Sequence, residues 1–238
     1  AYIGWNSKLH RYYQSPWSAN VVLFTGPGNV GEQPGLTIER APSWKAYESA
    51  RKRRNRPRPG VLLATEANDD YARALGDLSG ALRGGSRWTR ELVFLGYKYL
   101  LVLDRVKAAG DQEHRWTLHS INEPAVNDAL IRIDNDDGRL FCKSLLPGKV
   151  TIRKVGGEGH ECDYNGDNRI YKKGYKPRPQ QRIGAWRLEV RPADGAAECV
   201  YLHAMYPADT STEAMPECTA TQKGKDLVVK VGDLSYVF

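Results

Sequence analysis

Five histidines, His10, His114, His119, His160 and His203, carry the side chains of this sequence most readily used for proton transfer near neutral pH. His119 and His203 lie inside apolar runs, W-T-L-H-S and Y-L-H-A-M-Y, where a role in a sheet or core competes with a role in chemistry. No Gly-x-Ser-x-Gly elbow, glycine-rich phosphate loop or His-Glu-x-x-His helix accompanies them, so the residues assign no complete catalytic apparatus. A second pattern mixes rings with bases. Tyr2, Trp5, Tyr12, Tyr13 and Trp17 surround His10 and Arg11, and Tyr164, Tyr171 and Tyr175 stand among Arg169, Lys172, Lys173, Lys176 and Arg178. Flat rings match the apolar face of a pyranose, and Arg or Asn can bond its hydroxyls or carboxylate; the same rings also serve as core or interface packing.

Six of the eight residues 51–58 are basic, and Pro57 denies them a regular helix. The block is either a solvated loop or a contact for sulfate and uronate groups. The formal charge of +7 draws polyanions, acidic polysaccharide or nucleic acid, but no recognised nucleic-acid motif accompanies it, so no nucleic-acid partner is expected. Asp69, Asp70 and Asp77 lack the spacing of a calcium loop. The four cysteines, Cys142, Cys162, Cys199 and Cys218, form no Cys-x-x-Cys pair, which leaves disulfides in an exported chain or buried thiols.

These groups need a scaffold, and residues 87–124 define it. Apolar segments at 91–95, 99–106 and 114–120 are separated by breaks at Gly96 and at 108–111, too close together for helices and suited to hairpins, so three neighbouring antiparallel strands are expected. The middle segment is apolar in both parities, Tyr99, Leu101 and Leu103 against Leu100, Val102 and Val106. A strand covered on both faces needs further layers, which implies a sandwich with this strand near its centre. Asp104 and Arg105, near its end, are expected to point to opposite faces.

The rest of the chain keeps that rhythm. Strands are expected at 20–25 and 61–65, an extended segment over 71–82, a meander through 129–155, and strands at 184–191, 198–206, 226–231 and 234–238. At 184–191, Trp186, Leu188 and Val190 alternate with Arg187, Glu189 and Arg191, the mark of one dry and one wet side. Residues 26–60 and 156–183 read as long loops, and 207–216 as a connection. The fold class is all-β: one large antiparallel β-sandwich of roughly a dozen strands with little helix, a single domain over residues 1–238. No apolar run approaches the roughly 18 residues of a membrane span. Residues 1–5 show no charged and apolar leader, as expected if a signal was removed or the chain continues a longer one.

The run W-T-R-E-L-V-F-L-G-Y-K-Y-L-L-V-L-D-R-V followed by W-T-L-H-S-I-N-E-P resembles the C-terminal β-sandwich region of heparinase II/III-like polysaccharide lyases. H-R-Y-Y-Q-S-P-W-S-A-N-V-V-L-F, G-A-W-R-L-E-V-R-P and Y-L-H-A-M-Y-P extend the resemblance over nearly the whole chain, in the family's order. It implies an enzyme that cleaves uronic-acid polysaccharide by β-elimination: a base takes the C5 proton, the carboxylate is neutralised, and an acid assists the 4-linked oxygen in leaving. Most of that machinery sits, in the family, in an N-terminal α/α-toroid domain that this sequence lacks. The resemblance therefore implies a wall of the substrate cleft, with Tyr12, Tyr13, Trp17 and Asn20 as substrate contacts, catalytic residues unassigned, and a periplasmic or secreted location. The alternative is a free-standing carbohydrate-binding or structural module without catalysis. The family's structural zinc is not expected, because Ala19 occupies the position where the family has a His ligand and the upstream ligands are absent from the sequence.

Overall fold

The computed structural model describes residues 12, 16–26, 60–82, 86–164, 167–168 and 185–238. An eight-stranded sheet runs β2 (Val61–Ala67), β3 (Tyr71–Asp77), β4 (Arg87–Leu95), β5 (Tyr99–Lys107), β14 (Glu198–Asp209), β9 (Gly138–Leu146), β8 (Leu130–Asn135) and β7 (Ala125–Asn127). A four-stranded sheet runs β1 (Val22–Thr25), β6 (Glu113–Ser120), β13 (Trp186–Pro192) and β10 (Val150–Gly156). Three C-terminal strands, β15 (Cys218–Lys223), β16 (Asp226–Val231) and β17 (Leu234–Val237), form a meander of their own, and β11 (Asp163–Tyr164) pairs with β12 (Asp167–Asn168). Every pairing is antiparallel. The protein is all-β, with short 3-10 turns at Pro16–Ser18 and Ser79–Ala81.

The period-2 alternation of β5 explains the layering. Val102 and Val106 turn toward the four-stranded sheet and pack with Val22, Phe24, Trp116, Leu118, Leu188 and Val190. Tyr99, Leu101 and Leu103 turn the other way and pack with Leu227, Val229, Val231 and Tyr236 of the meander. The eight-stranded sheet is thus the middle of three layers, and β5 lies inside it between β4 and β14. An aliphatic strand surface of this kind is stable only when both sides are removed from water. Asp104 and Arg105 divide as alternation requires, Asp104 fully buried and Arg105 exposed.

Three expectations are corrected. The strand at 114–120 does not neighbour 99–106: β6 crosses into the other sheet, between β1 and β13. Its inner residues Trp116 and Leu118 need a facing sheet rather than a place beside β5, and the link 108–112 is long enough to change layers. The connection at 207–216 is shorter than expected, since β14 continues to Asp209 and β15, a strand not anticipated, begins at Cys218. The side of β13 expected to be wet is dry at two of its three positions, with Arg187 and Glu189 only 3% and 2% exposed. Their burial depends on charge pairing, described below. All four cysteines are buried free thiols. Gly156 marks the exit of β10; at its φ of 152°, a Cβ would collide with the Ala185 carbonyl.

Candidate functional site

The sequence R-W-T-L-H alternates two inner residues, Trp116 and Leu118, with three outer ones, Arg115, Thr117 and His119. Across the ladder, Glu189 lies opposite Thr117 and Arg187 opposite His119. The outer face of the four-stranded sheet therefore holds two guanidiniums, one carboxylate, one hydroxyl and one imidazole in adjoining positions. Arg115 Nη1 donates to Glu189 Oε2 at 3.0 Å, Arg187 donates from Nε to Oε1 at 3.0 Å, and Arg187 Nη2 is ion-paired with Oε1 at 2.9 Å. Arg187 Nη1 also donates to the Asp163 carbonyl at 2.8 Å, and Arg115 Nη2 to Thr25 Oγ1 at 2.8 Å. Burial pushes the Glu189 carboxyl up, but the two guanidiniums outweigh it and hold the group below the usual carboxylate range.

The segment 16–21 lies over this face. The Arg187 and Arg115 guanidiniums sit 4.9 and 5.9 Å from the centre of the Trp17 ring, so its π-face is taken by protein cations. Trp17 is 1% and Tyr12 2% exposed. Both rings are packing elements in this arrangement, with no free face at the surface for a sugar. The Tyr12 hydroxyl donates to the Trp17 carbonyl at 3.3 Å, and its pKa is pushed up to about 12 by burial against the opposing charge of Arg187. Tyr13 lies outside the described residues, as do the other rings before residue 12, the basic block at 51–58, and Tyr171 and Tyr175 with their basic neighbours.

Thr117 and His119 hold the strap in place. The Thr117 hydroxyl lies 2.8 Å from the Ala19 carbonyl oxygen and 2.9 Å from that of Val21. Asn20 is exposed, and its Oδ1 accepts the backbone N–H of His119 at 2.9 Å and lies 3.1 Å from His119 Nδ1. His119 Nε2 faces the Trp17 carbonyl at 2.8 Å. Burial, with Arg187 nearby, depresses the His119 pKa to about 4, so the ring is neutral at pH 7.

A second anchor reaches Asn20 from the middle layer. Asp104, fully buried between the sheets, accepts Trp88 Nε1–H at 2.6 Å and Arg90 Nε–H and Nη2–H at 2.7 and 2.9 Å. The third arm of Arg90, Nη1, donates to the Asn20 carbonyl at 2.8 Å. One residue of the strap is thus held through its backbone by one sheet and through its side chain by the other. Two same-face positions further along β4, Phe94 is 38% exposed, with the ring of Tyr97 edge-on at 5.7 Å. The resemblance singled out Asn20 as a substrate contact; that Arg90, Asp104, Thr117 and Glu189 anchor the segment around it was not anticipated. The polar alternation of R-W-T-L-H and the lone acid in an apolar strand were the available signals.

His203 lies deeper. It is fully buried, stacks on Trp116 with ring centroids 3.8 Å apart, and has no hydrogen-bond partner for either ring nitrogen. Burial lowers its pKa to about 3. That places it in the core, as a neutral ring. Ala19 brings only a methyl group to the position where the resemblance has an imidazole, and no group of three His, Cys, Asp or Glu side chains suited to a metal occurs among the described residues.

No protein-family model matches the chain, and no curated protein matches it in sequence. Solved structures do match. A heparinase III gene product superposes with a TM-score of 0.54 at 15% identity, over 75% of this chain and 27% of that one. The heparan sulfate lyase HepC from Pedobacter heparinus superposes with a TM-score of 0.53 at 14% identity, over 87% of this chain and 34% of that one. A further heparinase III gives a TM-score of 0.54 at 11% identity, over 75% and 27%. The chain spans about a third or less of the length of these neighbours. At such identities the likeness concerns architecture, and on that level the chain has the fold of a heparinase-like β-sandwich region.

Proposed function

We propose that this chain is the sandwich part of a polysaccharide lyase that cleaves acidic, uronate-bearing polysaccharide by β-elimination, and that it forms one wall of the substrate cleft. The layered sandwich shared with heparan sulfate lyases carries this reading, because that likeness extends over most of the chain. Asn20, exposed and anchored from two sheets, is the contact with the polysaccharide, and Tyr13 is a neighbouring one. Tyr12 and Trp17 act by packing the strap onto Arg115 and Arg187 rather than by stacking on sugar. The net charge of +7 favours an acidic chain as ligand. The catalytic groups belong to an N-terminal toroid, the polymer implies a periplasmic or extracellular protein, and no zinc takes part.

A non-catalytic carbohydrate-binding or structural module is the second reading. On either reading His119 and His203 supply no imidazole base near neutral pH, since the His119 pKa is depressed and His203 is inaccessible. One experiment tests both. The chain is incubated with heparan sulfate, alginate and hyaluronan while the ultraviolet absorbance of an unsaturated uronate and the binding of each polymer are followed. Binding without absorbance supports the cleft wall or module, rising absorbance shows a complete catalytic site, and failure to bind any of the three rejects the acidic-polysaccharide reading.

A further inference from the structure

Asn20 is exposed, yet its side chain is held in one orientation. A backbone N–H can only donate, so the Asn20 atom facing the His119 N–H at 2.9 Å is the oxygen, and Nδ2 is the amide atom not bound to that strand. Nδ2 has no partner among the described residues. The side chain therefore offers its surroundings a donor, not an acceptor.

His119 faces two acceptors, the Trp17 carbonyl at 2.8 Å from Nε2 and Asn20 Oδ1 at 3.1 Å from Nδ1. The backbone of the segment is anchored separately. Thr117 fixes the residues on either side, through the carbonyls of Ala19 and Val21. Arg90 fixes Asn20 itself, and Arg90 cannot swing away because two of its nitrogens are bound to the buried Asp104 carboxylate, which Trp88 also holds.

We propose that Asn20 presents its Nδ2 amide to an anionic oxygen of the polysaccharide, and that Arg90, braced by Asp104, is the positioning residue that keeps it there. This rests on the acidic-polysaccharide reading above and adds the atom, the ligand chemistry and the support. A uronate carboxylate and a sulfate share that chemistry. Carboxyl-reduced and desulfated heparan sulfate separate them, the source being whichever group's removal abolishes the difference between wild type and Asn20→Asp.

The test is calorimetric titration of the full chain with heparan sulfate oligosaccharides, for wild type, Asn20→Asp and Arg90→Lys, with near-ultraviolet circular dichroism to confirm the fold. Asn20→Asp keeps the inward oxygen and turns the outward donor into an anionic acceptor. Affinity then falls about tenfold or more. The new carboxylate also favours protonated His119, so the His119 pKa read by NMR rises further than in the uncharged Asn20→Ser, which reports lost packing alone. Arg90→Lys keeps a charge for Asp104 but has no fork to reach Asn20 as well. Affinity falls roughly three- to tenfold, with little further loss on top of Asn20→Asp, because both act on one contact. If Arg90→Lys does not fold, Arg90→Met/Asp104→Leu repeats the comparison without a buried lone charge. Wild-type affinity in the folded Arg90 variant, with Asn20→Asp weakened, overturns the positioning role and leaves the polysaccharide reading standing. Equal affinity of Asn20→Asp and wild type overturns the Asn20 contact. Absence of wild-type binding to heparan sulfate, and to alginate and hyaluronan titrated in the same way, overturns the acidic-polysaccharide reading itself.

Discussion

The two faces of β5 are buried against different neighbours. Toward the C-terminal meander, Leu101 and Leu103 meet Leu202, Ala204, Val229 and Val231, a nearly pure aliphatic interface. Toward the four-stranded sheet, Val102 and Val106 share their layer with Asp104, with His203 stacked on Trp116, and with His114, whose Nδ1 lies 2.9 Å from the Tyr201 hydroxyl. Aliphatic burial is non-directional and stabilises many relative placements of two sheets about equally. Hydrogen bonds of 2.6 to 2.9 Å from Trp88 and Arg90 to one buried carboxylate tolerate few. The aliphatic face supplies stability, and the polar face supplies the register from which Asn20 is held.

Breaking the polar face should cost most. Arg90→Met leaves Asp104 buried without its cation and is expected to lose about 3–5 kcal/mol in urea unfolding, and replacing Asp104 by Leu in the same chain should restore most of it. On the aliphatic face, Leu101→Ala opens a cavity at a fully buried position. About 3 kcal/mol should be lost, with glycan affinity of the folded protein unchanged. An affinity that fell with Leu101→Ala would erase the functional distinction between the faces.

Acid should weaken the fold through two histidines on opposite sides of the four-stranded sheet, His203 inside and His119 outside. His203 and His119 have pKa values of about 3 and about 4 in the fold against 6.5 ordinarily, because burial opposes their charge. Below pH 6.5 the unfolded chain takes up protons that the folded one refuses, so stability falls on acidification from there, flattening for His119 near 4 and for His203 near 3. The slope approaches about 1.4 kcal/mol per pH unit for each such histidine. Urea midpoints at pH 7 and pH 4.5 measure it, and equal midpoints would contradict the neutral, buried state of His203. His203→Phe keeps a ring against Trp116 without buried nitrogens; at pH 7 its stability should stay within about 1 kcal/mol of wild type, and its midpoint should depend less on pH. The smallest expected effect is that of a chelator. With Ala19 at the family's ligand position, purified protein should contain no stoichiometric zinc by elemental analysis, and its thermal midpoint should not move in EDTA.

Much of the scaffold was legible because strand signals are local. The turn at 135–138, the return strand β9 and the hairpin of β16 and β17 follow from Asn, Asp and Gly between alternating residues. The double-sided burial of β5 was legible from its two apolar parities. The burial of Arg187 and Glu189 was not, since in sequence they are the polar half of an amphipathic strand. What removes them from water is the strap carrying Trp17 and their pairing with Arg115, separated from them in the chain by more than seventy residues.

By itself, then, the sequence determined the all-β class, the positions of most strands and the parity on which each side chain lies. Tertiary structure alone decided that β6 joins the far sheet, that the meander forms a third layer, and that Tyr12 and Trp17 are buried while Asn20 is not. Period-2 alternation assigns a side chain to a face of its strand. Which other surface covers that face, and whether a charge on it meets water or a counter-charge, depends on contacts between distant segments that no local pattern encodes.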